Sequence, residues 1–215
     1  MAEAASQVGI SYANADESMQ RNGGQTDTSL HHTDIPQILA MIRELASYEK
    51  CEHKVEATEA SLKQTLTFAS STSGHTQHTN PGYAKTLILR LPSTPQHPGD
   101  EPNAVAGMAM FFNNYSTWRS KPGVYLEDLY VREKYRGRGY GKMLIQALAQ
   151  EVLRIDGGRL EWSCLRWNKS SLAFYDSLGA KQMQDWVGLR LEGKALEDVA
   201  AGRKKAVNVN GDGDK

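Results

Sequence analysis

The stretch Val124–Lys142, VYLEDLYVREKYRGRGYGK, is the one on which the fold can be read. Its first eight residues, Val124–Val131, are mostly aromatic and aliphatic and predict a strand. From Arg136 the composition turns to arginine and glycine. A helix follows from about Gly139 to Ile155, where Leu144, Leu148, Val152 and Ile155 recur at helical spacing and form a face able to cover a sheet. With a further strand expected at Arg159–Arg166, the segment makes a βαβ unit, which requires a parallel strand pair. Between strand and helix, unpaired N–H groups and the helix dipole favour an anion, and glycine lets a phosphate approach the main chain.

The spacing narrows the kind of phosphate loop. A nucleotide-triphosphate loop needs a glycine five residues before Gly141 and a hydroxyl residue after Lys142, but Arg136 and Met143 stand there. A dinucleotide fingerprint needs G-x-G-x-x-G, whereas Gly137, Gly139 and Gly141 alternate. What remains is R-x-x-G-x-G, with Arg136, Gly139 and Gly141. The glycines alone are equally consistent with a tight turn carrying solvated arginines. Five basic residues fall within Arg132–Lys142, yet the whole chain balances 25 Lys and Arg against 25 Asp and Glu. Positive charge is therefore local, and no overall field draws the chain to nucleic acid or an anionic membrane.

Outward from this unit, Tyr83–Leu91 and Ala104–Phe112 predict an antiparallel pair joined by a connection carrying Pro92, Pro95, Pro98 and Pro102. Asp34 as N-cap and Pro36 in the first turn predict a helix to about Lys50, and a shorter helix is expected over Thr58–Phe68. Ser170–Leu178 predicts another helix, capped by Asn168 and stopped at Gly179, and Gln182–Leu191 a last strand. Met1 to about Thr33 reads as mostly disordered, with at best one short strand near Val8–Ala13; Ala69–Gly82 reads as a mobile loop and the chain from 202 as a tail. The 215 residues suit one α/β domain over 34–201. The two cysteines, Cys51 and Cys164, with no apolar run of transmembrane length and no leader, fit a reducing compartment, cytoplasm or nucleus.

The motif R-x-x-G-x-G after LEDLYV resembles the acetyl-CoA pyrophosphate loop of the GNAT superfamily of N-acetyltransferases. YLEDLYVREKYRGRGYGKML, WNKSSLAFYDSLGA, IRELASYEK and FFNNYSTW further resemble the diamine acetyltransferase branch, which acetylates spermidine, spermine or thialysine. The resemblance implies a twisted mixed sheet of about six to seven strands flanked by helices. It also implies a homodimer, acetyl-CoA as co-substrate and acetyl transfer to a small cationic amine by direct attack in a ternary complex. Ser116–Thr117 stand where polyamine-specialised members carry an acid and a proline before the tryptophan, a feature closer to the thialysine-directed members. A protein lysine or N-terminal acetyltransferase and a CoA-binding regulatory module without turnover remain the rival readings.

The resemblance also assigns residues. Leu129, Tyr130 and Val131, the loop Arg136, Gly137, Arg138, Gly139, Tyr140, Gly141 and Lys142, and Asn168 with Ser171 would hold the coenzyme. Glu127 would bind the amine and act as base, and Tyr175 would protonate the departing thiolate. Glu49, Asp128, Glu161 and Trp118 would complete a cationic-amine pocket, the tryptophan by cation–π contact. On residue pattern alone, Glu127 and Asp128 could be paired acids of an exposed strand, opposed across it by the two-residue period unless a bulge re-aims one. Tyr175 could equally be core, although it shares a helix face with Asn168 and Ser171. The six histidines fall before residue 98, mostly in tails or loops, so no metal site is expected, and Cys164 is expected to be a buried strand thiol.

Overall fold

The computed structural model describes residues 7–14, 34–69 and 82–203. The disorder expected from Met1 to about Thr33, apart from 7–14, the loop expected over Ala69–Gly82, apart from its two end residues, and the tail expected from 202, apart from 202–203, lie outside these residues. The chain divides into two compact units, Met1–Ser163 and Cys164–Lys215.

The first unit carries one six-stranded mixed sheet. Its strands are β1 (Gly9–Tyr12), β2 (Leu66–Thr67), β3 (Ala84–Arg90), β4 (Val105–Ser116), β5 (Lys121–Val131) and β6 (Leu160–Trp162). The order is β1-β3-β4-β5-β6, with β2 parallel to the start of β3. The pairs β1–β3, β3–β4 and β4–β5 are antiparallel. β5 and β6 are the parallel pair that the βαβ reading requires, linked by α3 (Tyr140–Arg154). One face is covered by α1 (Ile35–Tyr48) and α2 (Glu59–Thr65), whose Ile35, Ile38, Leu39, Met41 and Leu62 close on Ile88, Met108, Met110 and Tyr130. On α3, Leu144, Ile145, Leu148 and Val152 are buried, and the helix packs on β3, β4 and β5. These are the stripes that helical periodicity marks for burial.

The short strand expected near Val8–Ala13 forms as β1 and pairs with Arg90–Leu87, so the sheet takes in residues ahead of 34. Ala13 is only 1% exposed within the α1-side core, and Tyr12 lies 6.3 Å, ring to ring, from Phe111. Asp34 differs from its expected role. Its side chain caps no helix N–H; it accepts from the Asn14 backbone N–H and from Arg90, tying β1, α1 and β3 together. Deleting residues 1–28 is therefore expected to lower the thermal midpoint by at least about 5 °C, since losing an edge strand and its anchors costs at least about 2 kcal/mol. A midpoint unchanged in differential scanning calorimetry would show that β1 adds nothing.

The second unit holds α4 (Lys169–Ser177) and α5 (Gly193–Ala200), the latter without a sequence expectation. The strand expected over Gln182–Leu191 does not form among the described residues: no ladder includes it, and Met183, Trp186, Val187, Leu189 and Leu191 are exposed. A strand needs a neighbour for its N–H and C=O groups, and β propensity alone supplies none. Cys164 lies beyond β6 and is half-buried, not a buried strand thiol.

Candidate active site

The β4–β5 ladder breaks its register where the chemistry was expected. Met110 pairs with Asp128 but Phe111 pairs with Leu126, leaving Glu127 as the extra residue of a β-bulge. Paired residues share a face, so Asp128 falls with Met110 and Tyr130 on the α1 side, while Leu126 falls with Phe111 on the other. The bulge thus resolves the question left by strand periodicity: Glu127 is exposed and Asp128 is the acid drawn inward.

Asp128 feels its surroundings. Burial, then the charges of Glu127 and Glu49, push its carboxyl up to about 6, and burial also raises that of Glu49 at the end of α1. Three carboxylates are thereby brought together with no cation among them in these interactions, which suits an ammonium guest. The same repulsion disfavours folding. An aspartate ordinarily ionises near 3.9, so the penalty is absent below about pH 4, grows as pH rises to about 6 and is complete above it. Asp128→Asn is expected to raise stability at pH 7.5 by about 1–3 kcal/mol and to leave it unchanged near pH 4, measured by urea unfolding. A destabilised variant at pH 7.5 would show that the ionised carboxylate is held by favourable contacts.

The loop follows directly. Gly137 and Gly139 have φ of +77° and +80°, the left-handed region that glycine enters freely, and Gly139 precedes α3. Tyr140, Gly141 and Lys142 form the first turn, so their N–H groups have no carbonyl one turn earlier to meet. The donor set fits a phosphate through the main chain. The arginines are largely committed elsewhere. Arg136 Nε donates to the Val131 carbonyl at 2.9 Å, and its guanidinium lies 5.3 and 5.6 Å from the rings of Tyr48 and Tyr130. Arg138 donates to Asp100 at 2.7 Å, and this bond holds the Asp100 carboxyl below the usual range. The β5–β6 ladder covers only Val124–Leu126, so among the described residues no β6 partner lies beside Leu129, Tyr130 and Val131.

Two expected substrate residues stand apart from this cluster. Glu161 is engaged with Arg159 at 2.7 Å and accepts from the Asn114 amide at 2.6 Å, which satisfies its charge inside the protein. Trp118 is 91% exposed in the β4–β5 turn, and six extended residues, about 20 Å, separate Lys121 from Glu127. In the second unit, Asn168 caps α4, its Oδ1 accepting the Ser171 N–H at 3.2 Å and the Ser170 hydroxyl at 3.1 Å. Burial, with the Cys164 charge adding to it, pushes the Tyr175 phenol up to about 12. Tyr48 and Asp100 were missed by sequence reasoning; only folding shows which rings and acids meet the loop arginines. Among the described residues no group of three His, Cys, Asp or Glu could hold a metal ion, and no helix is long and apolar enough to cross a membrane.

Residues 72–180 match the model of the Acetyltransferase (GNAT) family, about half of the chain. The chain belongs to the GNAT family. This GNAT chain is 31% identical over 191 residues to L-ornithine N5-acetyltransferase NATA1 of Arabidopsis thaliana, covering 78% of the chain and 84% of the relative. It is 34% identical over 170 residues to thialysine N-epsilon-acetyltransferase of Bos taurus, covering 78% and 92%. An integron cassette protein of V. cholerae shares the fold, with a TM-score of 0.61 at 21% identity over 90% of this chain and 98% of the other. An N-acetyltransferase of the acyltransferase class, related to the diamine acetyltransferase branch, is therefore the identity of this chain.

Proposed function

We propose that this N-acetyltransferase moves the acetyl group of acetyl-CoA to the side-chain amine of a small cationic diamino acid of the thialysine or ornithine type, by direct attack in a ternary complex. The observation that carries this reading is the cluster of Glu49, Glu127 and Asp128 beside a phosphate-type loop. The names of the two curated relatives support the substrate class. An alkylammonium with a pKa of about 10.4 is mostly protonated at neutral pH, and freeing its lone pair costs about 4.6 kcal/mol there. Carboxylates that hold the cation and pass its proton to water reduce that cost.

In this reading the amine nitrogen attacks the thioester carbonyl carbon, the C–S bond breaks, the amine proton leaves by way of Glu127, and Tyr175 donates to the departing thiolate. The N–H groups of Leu129–Val131 hold the thioester carbonyl, and the Arg136–Lys142 loop with Asn168 and Ser171 holds the coenzyme. A second copy of the chain is the proposed cover for the exposed apolar residues between 183 and 191.

A panel of thialysine, ornithine, lysine, putrescine, spermidine and spermine tests the substrate class. kcat/KM is expected to be highest for thialysine or ornithine. Acetyl-CoA turnover that no amine accelerates would favour a CoA-binding module, and acetylation confined to peptide lysines or N-termini would favour a protein acetyltransferase. Glu127→Gln is expected to lower kcat/KM about 100-fold near pH 7, with the loss shrinking as pH approaches the amine pKa. A loss uniform across pH would assign Glu127 to positioning.

A further inference from the structure

The connection between β3 and β4 has neither helix nor strand, yet it is fastened to the loop. It is first closed on itself: the Asp100 N–H donates to the His97 carbonyl at 3.1 Å, the Asp100 carboxylate accepts the His97 N–H at 3.2 Å, and the Asn103 N–H donates to the Pro92 carbonyl at 3.2 Å. Two acids then reach the loop. Glu101 accepts from Lys134 at 2.8 Å, an exposed pair of little energetic weight. Asp100, its side chain only 2% exposed, accepts from Arg138, itself 22% exposed, at 2.7 Å. Arg138 also donates to the Lys134 carbonyl at 3.4 Å and lies 5.4 Å from the ring centre of Tyr135, which is 1% exposed.

Arg138 stands between the two glycines with positive φ. Glycine visits both signs of φ, so a loop hinged on either side of one residue is flexible unless that residue is held. Arg138 is held on three sides, by a carboxylate, a carbonyl and an aromatic face.

We propose that Asp100 is a positioning residue for coenzyme binding: through Arg138 it fixes the segment between the two glycine hinges, so that the N–H groups opening α3 are aligned before the phosphate arrives. This rests on the reading of the loop as the acetyl-CoA pyrophosphate site. The pair neutralises itself, leaving the main chain and the helix dipole to meet the anion. Without the anchor, the ligand must order the loop as it binds, and affinity falls by that amount.

The experiment uses the full chain, with acetyl-CoA titrated calorimetrically and both substrates varied in steady state. Asp100→Asn is expected to raise Kd and KM for acetyl-CoA about tenfold, with kcat at saturation and the amine KM within about twofold. Arg138→Gln should raise the Kd for acetyl-CoA by at least as much, the double variant should bind no more weakly than Arg138→Gln alone, and Asp100→Glu should restore most of the affinity. Should Asp100→Asn lower the folding midpoint, Arg138→Gln reads the same coupling. Unchanged or tighter acetyl-CoA binding would overturn the proposal, tighter binding because Asp100 would then be competing with phosphate for Arg138. Additive effects, or equal losses in both KM values and kcat, would overturn it as well. If Gly139→Val abolishes binding while Asp100→Asn does not, the anchor fails and the coenzyme loop stands. If neither changes binding, the loop reading fails with it.

Discussion

Gly139→Val is expected to weaken acetyl-CoA binding at least about 100-fold, close to 2.7 kcal/mol, while the protein stays folded. Gly139 sits at φ +80°, where a β-branched residue is strongly disfavoured, so the backbone must rotate and carry the neighbouring N–H groups with it. Each charge-assisted bond from such a group to a phosphate is worth about 1.5–3 kcal/mol, so misaiming one or two suffices for the loss. The fold survives because a Cβ at this position would meet no atom within 4 Å, leaving the damage to the local turn. Titration calorimetry with acetyl-CoA measures the first effect and a thermal scan the second. Unchanged affinity would remove the loop from coenzyme binding.

Tyr175→Phe is expected to lower kcat by at least about tenfold, and by up to about 10⁴-fold, with acetyl-CoA affinity and midpoint little altered. The substitution keeps the ring and deletes only the hydroxyl. With its phenol pushed up to about 12, Tyr175 stays protonated throughout the working range. A thiol resembling cysteine has a pKa of about 8.5, so the phenol is the weaker acid, and its contribution is a hydrogen bond to the developing thiolate. Single-turnover rates isolate the chemical step. A rate within about twofold of the unmutated enzyme would return Tyr175 to a packing role.

Reading the sequence succeeded where one local rule decides. The apolar spacing of α3 placed that helix within a residue or so at each end, and Asn168 caps its helix as its side chain allows. It failed where the answer lies in a partner distant along the chain. GISY forms the short strand expected near Val8–Ala13, but nothing local told that its place is beside Arg90–Leu87. WVGLRL has strand composition but finds no ladder among the described residues. At the site, the adjacency of Glu127 and Asp128 was legible and their division into exposed and inward acids was not, because it depends on the register shift at Met110/Phe111. The engagement of Glu161 by Asn114 was hidden because only the pairing of distant strands brings the two together.

The bulge at Glu127 acts as a phase shifter for the whole of β5. Ahead of it, the even-numbered residues Val124 and Leu126 serve the face that carries Phe111; behind it, the even-numbered Asp128 and Tyr130 serve the opposite one. A single strand therefore furnishes both layers of the core with the same parity of residue. Removing residue 127 from the chain would do more than delete a carboxylate. It would close the bulge, leaving Leu126 opposite Phe111 and Asp128 opposite Met110 in an unbroken ladder with every residue on its present face, whereas losing one residue behind the bulge, such as Leu129, would turn Tyr130 out of the α1 layer.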